Sequence, residues 1–428
     1  MKLLDYDLDE ENRITQKLRR LEGNLSEDNE NSQDNLEINP VKTEFKPIKM
    51  SPIKTSLPNL DVKNDASEIK SNILETEFNN SETEFNNLQT EEDKEILKKK
   101  KHDSDNRPSE AEVKKIKLIL EKVKKEVSKI LVGQEKIVNG LLMGLLCNGH
   151  VLIEGVPGIA KTLAIRALGA VSGCKVSRIQ FTVDLLPTDI VGITSYTPGK
   201  GFEVIKGPVF SNFLIADEIN RSPPKTQSAL MEAMQERQAT IGKITYPISE
   251  PFFVMATENP LENAGVYPLP EAQVDRFLFK VIMDYPTEKE EKLIMEQNMT
   301  LQKFEDFNLK AVTSTKEIIH MQNIIKKVYL DDNIKDYILK IIKKTRNKNF
   351  KDAEYLSFGG SPRASIAMYI ASKARALMEG RNYVIPEDVK AIVFEVLRHR
   401  LILSYKAILK QISPDILIKN ILDEIEII

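Results

Sequence analysis

The sequence is poor in cysteine, with two in 428 residues, which excludes a fold held together by a network of disulfides. Cys147 lies in the apolar run GLLMGLLC, so we predict that its thiol packs in a core. No apolar run approaches the roughly 20 residues that a membrane-spanning helix requires. The opening residues, MKLLDYDLDEEN, carry acidic side chains where a secretory signal needs an apolar stretch. These absences together predict a soluble protein of the cytoplasm.

Concentrated positive charge is lacking as well. The net charge is −3, and residues 107–428 carry a mild basic excess with no basic stripe and no aromatic platform, so we expect no nucleic-acid partner. Residues 1–106 hold 16 basic and 25 acidic side chains and are rich in Asn, Glu, Ser and Lys. Because this segment shows no sustained apolar period, it cannot bury enough surface to offset the entropy of ordering. We therefore predict a disordered polar extension over residues 1–106.

The rest of the chain alternates strand-like and helical patterns. Ser109 and Glu112 form a capping box, and apolar residues follow at helical spacing, which predicts a first helix. Short apolar segments then alternate with helical stretches, which favours a parallel α/β sheet, and from about residue 310 the pattern is helical throughout. We predict an α/β core over residues 107–290 and an all-α domain over residues 305–428. The predicted strands are HVLIEG (150–155), SRIQF (177–181), FLIADE (213–218), FFVMAT (252–257) and FLFKVI (277–282).

The segment GVPGIAKT nearly matches the phosphate-binding loop G-x-x-x-x-G-K-[ST], and it lies between a predicted strand and a helical stretch as that motif requires. Backbone N–H groups can hold phosphate oxygens, Lys161 can reach the β and γ phosphates, and Thr162 can offer its hydroxyl to Mg²⁺. Ala160 replaces the second glycine, but one methyl group is small and permits the helical φ of a helix start. We therefore predict an intact nucleotide site. Its residues are Gly155, Val156, Pro157, Gly158, Ile159, Ala160, Lys161 and Thr162.

Two further predicted strands end in polar residues. FLIADE ends in Asp217, which can hold the Mg²⁺ shell together with Thr162, and in Glu218, which is placed to orient and deprotonate an attacking water. Asn259 follows the strand FFVMAT and can fix that water and report on the γ-phosphate, although Asn-Pro is also a common turn. These residues predict a nucleotide-hydrolysing site.

Two arginines are candidates for contact with phosphate. In GGSPRAS, Ser361 is a natural N-cap, so Arg363 falls in the first turn of the predicted helix. The positive end of the helix dipole disfavours a cation there, so we expect a nucleotide phosphate to supply the missing anion, with an ordinary surface arginine as the alternative. Arg276 precedes a predicted strand in EAQVDRF, where it can equally form a salt bridge with Asp275 or a neighbouring Glu. Sequence spacing does not choose between these roles for Arg276.

Together these segments strongly resemble the MoxR family of AAA+ ATPases. The matching blocks occur in the family's order and cover roughly residues 110–428. The resemblance implies an AAA+ P-loop NTPase core with a parallel sheet, followed by a helical lid domain. The blocks are VGQE (132–135), GHVLIEGVPGIAKT (149–162), GPVFSNFLIADEINRSPPKTQSALMEAMQERQATI (207–241), ATENPLENAGVYPLPEAQVDRF (256–277) and GGSPRAS (359–365). The implied roles are Walker A for Lys161 and Thr162, Walker B for Asp217 and Glu218, sensor 1 for Asn259 and sensor 2 for Arg363.

The resemblance also implies that Arg276 is an arginine finger, presented to the nucleotide of a neighbouring subunit. An arginine that acts in trans needs an oligomer, so the likeness implies a homo-oligomeric ring, taken to be a hexamer. Arg221 and Arg237 flank the helix that follows the Walker B residues and are alternative fingers. Residues 184–207 resemble the hairpin inserted in helix 2 of this clade, which is a candidate for contact with protein clients.

The main functional hypothesis is an enzyme that binds and hydrolyses ATP with Mg²⁺ and uses the cycle to remodel or assemble partner proteins, as a chaperone does. The family likeness implies clients that work with a separate protein containing a von Willebrand A domain. The alternative is a nucleotide-responsive scaffold with little or no hydrolysis. The presence of Lys161, Asp217 and Glu218 argues against that alternative.

Overall fold

The computed structural model describes most of the chain beyond residue 106. The predicted disordered extension over residues 1–106 lies outside the described residues, and so do residues 156–160 of the phosphate loop. The prediction for these two segments is therefore not addressed by the structure. The described ranges are 107–131, 133–155, 161–260, 265–298, 304–347 and 350–426.

A five-stranded parallel sheet lies at the centre of the α/β part, with strand order β2 (Val176–Gln180), β5 (Phe213–Asp217), β8 (Phe253–Glu258), β1 (Val151–Gly155) and β9 (Phe279–Met283). Each of its strands arises from one of the five predicted apolar segments, which confirms the predicted parallel sheet. Ile153 of β1 lies between Thr257 of β8 on one side and Val281 of β9 on the other. The strands in chain order are β1 (Val151–Gly155), β2 (Val176–Gln180), β3 (Gly192–Thr197), β4 (Gly201–Lys206), β5 (Phe213–Asp217), β6 (Gln238–Ile241), β7 (Ile244–Pro247), β8 (Phe253–Glu258), β9 (Phe279–Met283), β10 (Leu356–Phe358) and β11 (Ile402–Leu403).

Helices cover both faces of this sheet and form the C-terminal region. No described helix combines the length and the apolar character needed to cross a bilayer. The α-helices are α1 (Glu110–Val127), α2 (Glu135–Leu146), α3 (Lys161–Val171), α4 (Pro187–Val191), α5 (Pro224–Glu236), α6 (Glu271–Val274), α7 (Glu288–Asn298), α8 (Thr315–Lys327), α9 (Asp332–Arg346), α10 (Pro362–Met378), α11 (Pro386–Leu397), α12 (Tyr405–Leu409) and α13 (Pro414–Asp423), and short 3₁₀ turns occur at Ile219–Arg221, Phe304–Phe307 and Ala353–Tyr355.

The sheet strands are apolar along their length because both faces are buried. Ile153 packs with α1, α2 and α3 on one face, whereas its neighbour Leu152 packs with α4 and α5 on the other. The first helix begins as predicted, since the Ser109 hydroxyl accepts a hydrogen bond of 3.2 Å from the backbone N–H of Glu112. Its apolar stripe, which includes Ile116, is buried against the same core.

Two antiparallel hairpins accompany the parallel sheet. β3 and β4 form the first, within the segment expected to be a hairpin insert, and Gly199 and Gly201 in its turn have φ of +85° and +84°. Glycine suits this turn because a positive φ carries no Cβ clash for it. β6 and β7 form the second hairpin, which the sequence analysis did not predict.

The C-terminal region is helical as expected, with one departure. β10 and β11 pair as a short antiparallel ribbon, joining residues that follow α9 to residues that follow α11. Leu356 pairs with Leu403 and packs against the core, a long-range effect that local helical spacing does not show. The buried residues of α8, α9, α10 and α11 belong to the same continuous core as those of α1 and α2.

The two cysteines behave as structural residues. Neither forms a disulfide, and the Sγ atom of Cys147 lies 3.8 Å from the carbonyl oxygen of Ile370 in α10. Burial raises the pKa of Cys147, and it raises the pKa of Cys174 to about 12, so neither thiol ionises at neutral pH. This agrees with the predicted packing role of Cys147.

A buried histidine makes the fold sensitive to acid. Burial and the charge of Arg237 lower the pKa of His150 from 6.5 to about 3, and its ring contacts the backbone of Met234 at 3.2 Å and of Val254 at 3.1 Å. Burial also lowers the pKa of His399 well below its usual value. Between about pH 6.5 and pH 3 the unfolded chain binds protons that the folded protein excludes, so stability falls as pH falls.

We predict that the free energy of unfolding decreases by about 1.4 kcal/mol per pH unit for each excluded proton below about pH 6.5. Replacing His150→Gln removes one of these titrating groups. Urea unfolding at several pH values should therefore show a shallower acid slope for the variant than for the wild type. An identical slope would show that His150 does not carry this dependence.

Candidate active site

The candidate site lies at the carboxyl ends of β1, β5 and β8, where ligands bind in parallel α/β sheets. The chain leaves β1 at Gly155 and re-enters the described structure at Lys161, the first residue of α3. Asp217 ends β5, and Asn259 directly follows β8. The sheet order thus brings together three of the segments that the sequence analysis singled out separately.

Asp217 is the centre of a hydrogen-bond network. Its Oδ2 accepts a bond of 3.2 Å from the hydroxyl of Thr162, and its Oδ1 accepts one of 2.7 Å from the hydroxyl of Thr257. Arg178, on the edge strand β2, donates to the same Oδ2 from two nitrogens at 2.7 and 3.2 Å. The predicted pair Thr162 and Asp217 therefore does meet, at the start of α3 and the end of β5.

This network holds the Asp217 carboxyl in its charged form. Burial alone would raise the pKa of Asp217, but the hydrogen bonds from Thr257, Arg178 and Thr162 and the charge of Arg178 outweigh it, so the pKa is lowered. Asp217 is consequently a carboxylate at neutral pH, the form that a divalent cation requires.

Glu218 adopts a left-handed backbone conformation, with φ 55° and ψ 52°. This conformation costs roughly 1–2 kcal/mol for a residue with a Cβ. The backbone N–H of Glu218 offsets part of that cost by donating to the Thr257 hydroxyl at 2.9 Å. The side chain carboxylate accepts from Gln180 at 2.7 Å and forms a salt bridge of 3.3 Å with Arg221. Glu218 is thus turned out of the strand and held next to Asp217.

Lys161 bridges the ends of β1 and β8. Its Nζ donates to the carbonyl oxygen of Gly155 and, at 3.2 Å, to that of Glu258. Burial and the nearby Glu154 raise the pKa of Glu258, while Lys280 opposes the shift and pairs with Glu154. Through its bonds to Gly155 and Glu258, the Lys161 ammonium lies at the point where the chain leaves the sheet for the phosphate loop.

Asn259 is buried directly beyond the end of β8. The peptide before it supplies the carbonyl that accepts from Lys161, so Asn259 and Lys161 are neighbours at the sheet edge. This placement is compatible with the predicted part of Asn259 in the site, which stays a prediction.

Arg363 lies in the first turn of α10 as predicted, and the structure supplies an anion for it. Its guanidinium forms a salt bridge of 3.4 Å with the carboxylate of Asp275. Ser361 is the N-cap residue by position, yet its hydroxyl donates to Asp275 at 3.0 Å and makes no capping bond within the described structure. The side chain of Arg363 is 53% exposed, so it stays accessible to a ligand.

The three candidate finger arginines have different surroundings. Arg221 pairs with Glu218 of its own chain, and Arg237 donates to the carbonyl oxygens of Phe252 at 2.6 Å and Asn148 at 2.7 Å. The Nε atom of Arg276 is buried and has no hydrogen-bond partner among the described residues. Arg276 is therefore the candidate whose described contacts commit it least to its own subunit.

Sequence analysis missed several residues that shape the site. Thr257 lies inside a quoted strand, but nothing in its spacing indicates that its hydroxyl ties β5 to β8. Arg178 and Gln180 alternate with apolar residues on β2, and this polar alternation at a strand end was the available signal. Asp275 was considered only as a partner for Arg276, whereas it contacts Arg363.

The residues at this site fit an ATP–magnesium complex. Thr162 and Asp217 present two oxygen atoms 3.2 Å apart, which suits a hard cation, and Lys161 supplies positive charge for phosphate. Among the described residues, no group of three or more His, Cys, Asp or Glu side chains is placed to hold a metal ion. Magnesium typically takes one or two protein ligands and completes its shell with water and substrate phosphates, so the sparse ligand set suits it.

Comparisons with known proteins agree with this arrangement. Residues 150–279 match the family model of the ATPase family associated with various cellular activities (AAA), and residues 351–421 match the AAA lid domain. The chaperone MoxR1 of Mycobacterium tuberculosis is 46% identical over 312 residues, covering 72% of this chain and 81% of that protein. The YeaC protein of Bacillus subtilis is 41% identical over 310 residues, covering 72% of this chain and 95% of that protein.

A solved structure extends the comparison to the fold. The crystal structure of a Cytophaga hutchinsonii protein proposed to be an ATPase superimposes with a TM-score of 0.69 at 41% identity, covering 78% of this chain and 99% of the other. The fold and site define an ATPase of the AAA+ class with a helical lid domain. Within that class, the chain belongs to the MoxR family.

We predict that Thr257→Val destabilises the protein by about 1–3 kcal/mol, because it leaves the Glu218 N–H without its acceptor and removes a donor from Asp217. Thr257→Ser is the matched control, since it keeps the hydroxyl and loses one methyl, at about 1 kcal/mol. Denaturant unfolding of both variants tests this. Equal losses for serine and valine would contradict a role for the hydroxyl.

Proposed function

We propose that this protein binds and hydrolyses ATP in the cytoplasm and uses the cycle to remodel or assemble partner proteins. The proposal rests on one observation: Thr162, at the start of α3, contacts Asp217 at the C-terminal end of β5, and Glu218 directly follows Asp217. An ionised carboxylate and a hydroxyl lie beside a second carboxylate that can act on water. Phosphoryl transfer needs this combination of charge stabilisation and positioning.

Each residue then has a distinct task. Lys161 binds the β and γ phosphates, and Thr162 and Asp217 would hold Mg²⁺, which supplies charge neutralisation at the phosphates. Glu218 orients and deprotonates the attacking water, while its contacts with Gln180 and Arg221, both made by Oε2, hold the carboxylate in place. Asn259 helps to position the same water.

Two arginines complete the proposed site. Arg363 of the lid stabilises charge on the γ-phosphate, and Arg276 reaches the nucleotide of a neighbouring subunit. The engagement of Arg221 and Arg237 within their own chain supports Arg276 as the finger. A finger that acts in trans requires a homo-oligomeric ring, and we propose a hexamer.

The β3–β4 hairpin is the proposed contact for protein clients. Its aromatic pair stands out from the core, with Phe202 78% exposed and Tyr196 62% exposed and ring centroids 5.2 Å apart. Ile193 and Ile205 pair on the opposite face and are also exposed. Exposed apolar residues at a hairpin tip suit contact with apolar segments of another protein. We also propose that a separate protein with a von Willebrand A domain is a partner.

We predict that Glu218→Gln reduces the rate of Mg²⁺-dependent ATP hydrolysis at least about 100-fold, because an amide cannot accept the proton from water. The same variant should still bind ATP, since the amide leaves Lys161, Thr162 and Asp217 in place. Single-turnover hydrolysis and nucleotide binding test this. Equal background rates of ATP hydrolysis in the wild type and the variant would contradict the enzyme and leave only the alternative function, a nucleotide-responsive scaffold.

Lys161→Ala supplies the matched binding control. This substitution should abolish detectable ATP binding, because it removes the ammonium group that contacts the phosphates. Wild-type protein that shows no affinity for ATP with magnesium, and that behaves as Lys161→Ala does, would contradict the proposed function.

We predict that the double variant Tyr196→Ser and Phe202→Ser keeps the basal hydrolysis rate and loses client binding. The two aromatic side chains are exposed and are not among the residues of the candidate nucleotide site, so neither the fold nor hydrolysis depends on them. Proteins captured on the Glu218→Gln form with ATP should be absent when these two changes are added. Capture that persists unchanged would show that clients bind elsewhere.

A further inference from the structure

The carboxylate of Asp217 already has a cationic partner in the structure. Arg178 donates to Oδ2 of Asp217 from Nη2 at 2.7 Å and from Nε at 3.2 Å. The hydroxyl of Thr162 donates to the same oxygen at 3.2 Å, whereas Thr257 donates to the other carboxylate oxygen, Oδ1. Three hydrogen-bond donors therefore converge on Oδ2, the oxygen that Thr162 contacts.

This crowding matters for any cation held between Thr162 and Asp217. A carboxylate oxygen has about two lone-pair positions, so Oδ2 is fully engaged. A magnesium ion that contacts Oδ2, directly or through a water of its shell, needs one of these positions. Thr162 is itself a proposed ligand of that ion and can rotate its hydroxyl. The bonds that must yield are therefore those from Arg178, whose positive charge also repels a divalent cation at this distance.

Arg178 has a second acceptor and space to move into. Its Nη2 also donates to Oε1 of Gln180 at 2.6 Å. The guanidinium borders an open cavity of about 500 Å³ on the α3 side of β2, and the side chain is 51% exposed. It can therefore leave Oδ2, keep its bond to Gln180 and turn into the cavity without losing contact with water. Other residues that line the cavity are Thr162, Arg166, Ala170, Ile215 and Phe304.

The exposure of Arg178 also makes its ion pair exchangeable. Asp217 is only 13% exposed, but half of the arginine side chain is in solvent. Such pairs contribute little to stability, because water screens them and offers the guanidinium other partners. Magnesium carries twice the charge and prefers oxygen ligands, so it can displace the arginine when it arrives with the nucleotide phosphates.

We propose that Arg178 is a positioning residue that occupies the metal-facing oxygen of Asp217 in the metal-free protein and moves aside, towards Gln180 and the cavity, when Mg²⁺ binds with nucleotide. This inference rests on the proposed function. Arg178 holds the carboxylate in place before nucleotide binds, and it lowers the affinity for the metal because each magnesium ion has to displace it. Metal binding is then an exchange of cations at one carboxylate.

The test compares the binding of ADP to the full chain in Mg²⁺ and in EDTA. The ratio of the two affinities measures the coupling between metal and nucleotide and does not depend on hydrolysis. Arg178→Gln removes the competing charge, so this ratio should rise about fivefold. ADP binding in EDTA should not become tighter, because the competition affects only the metal. An unchanged or lower ratio in folded Arg178→Gln would overturn the inference.

Arg166→Gln is the matched control. Arg166 lines the same cavity and is 46% exposed, and its described contacts are with the Phe304 ring, at 4.3 Å from the centroid, and with Glu305 at 3.7 Å. The variant removes a nearby charge without touching the bonds of Asp217, so the ratio should stay close to that of the wild type. An equal rise in Arg166→Gln and Arg178→Gln would show a general effect of lost positive charge and would overturn the proposed exchange.

Arg178→Lys provides a second measurement if Arg178→Gln does not fold. Lysine keeps the charge but loses the two-nitrogen fork that grips Oδ2, so the ratio should rise about twofold. In that case a wild-type ratio in Arg178→Lys would rule out the exchange. Weaker ADP binding by either variant in both Mg²⁺ and EDTA would also count against it, because Arg178 would then act on the phosphates.

The outcomes separate this inference from the proposed function. If the wild type binds ADP more tightly in Mg²⁺ than in EDTA and the folded Arg178 variants show the same ratio, the inference is wrong and the proposed function stands. If the wild type binds no nucleotide in Mg²⁺ and behaves as Lys161→Ala does, the proposed function fails and the inference with it.

Discussion

The carboxylate of Asp217 joins the elements on which the site depends. From the end of β5 it accepts hydrogen bonds from α3, β8 and β2 through Thr162, Thr257 and Arg178. This requires the register in which Ala216 of β5 lies beside Ala256 of β8. A slip of one residue would turn Thr257 to the opposite face of the sheet, because strand side chains alternate. The apolar packing on both faces fixes that register, so the hydrophobic core determines the geometry of the polar site.

Two carboxyl groups at neighbouring strand ends have opposite pKa shifts. Asp217 has hydrogen-bond donors around both oxygens and a lowered pKa, whereas Glu258 is buried near Glu154 and has a raised pKa that Lys280 only partly opposes. Environments that separate the pKa values of adjacent acids are common where the acids have different chemical roles. Here the carboxylate most firmly ionised is the one best placed for a cation.

The parts of the fold that sequence analysis predicted depend on local patterns. The five sheet strands are apolar because both faces are buried, and their polar ends mark the candidate site, so Asp217 and Glu218 were identifiable from one segment. The contact between Asp275 and Arg400 joins residues far apart in the chain, and no local spacing encodes it. The sequence analysis expected a nucleotide phosphate as the anion beside Arg363, whereas the anion that contacts Arg363 in the structure is the carboxylate of Asp275.

The β6–β7 hairpin and the β10–β11 ribbon both escaped prediction, and the strands of both are short. The β10–β11 ribbon joins segments that are distant in the chain, whereas β6 and β7 are separated only by a two-residue turn that contains Gly242 at a φ of 64°. The roles of Asn259, Arg276 and Arg363 remain predictions of the family resemblance, to which the structure adds positions and contacts.

The continuous core described above has a practical meaning for engineering within the family. Gln322 of α8 donates to the carbonyl oxygen of Leu145 in α2 at 2.7 Å, and the apolar residues of α10 pack with those of α1. Helices α1 and α2 thus pack against the lid as well as against the sheet. A chimera that exchanges the lid between relatives must carry α1 and α2 with it, since a graft cut at residue 305 would divide one hydrophobic interior between two parents.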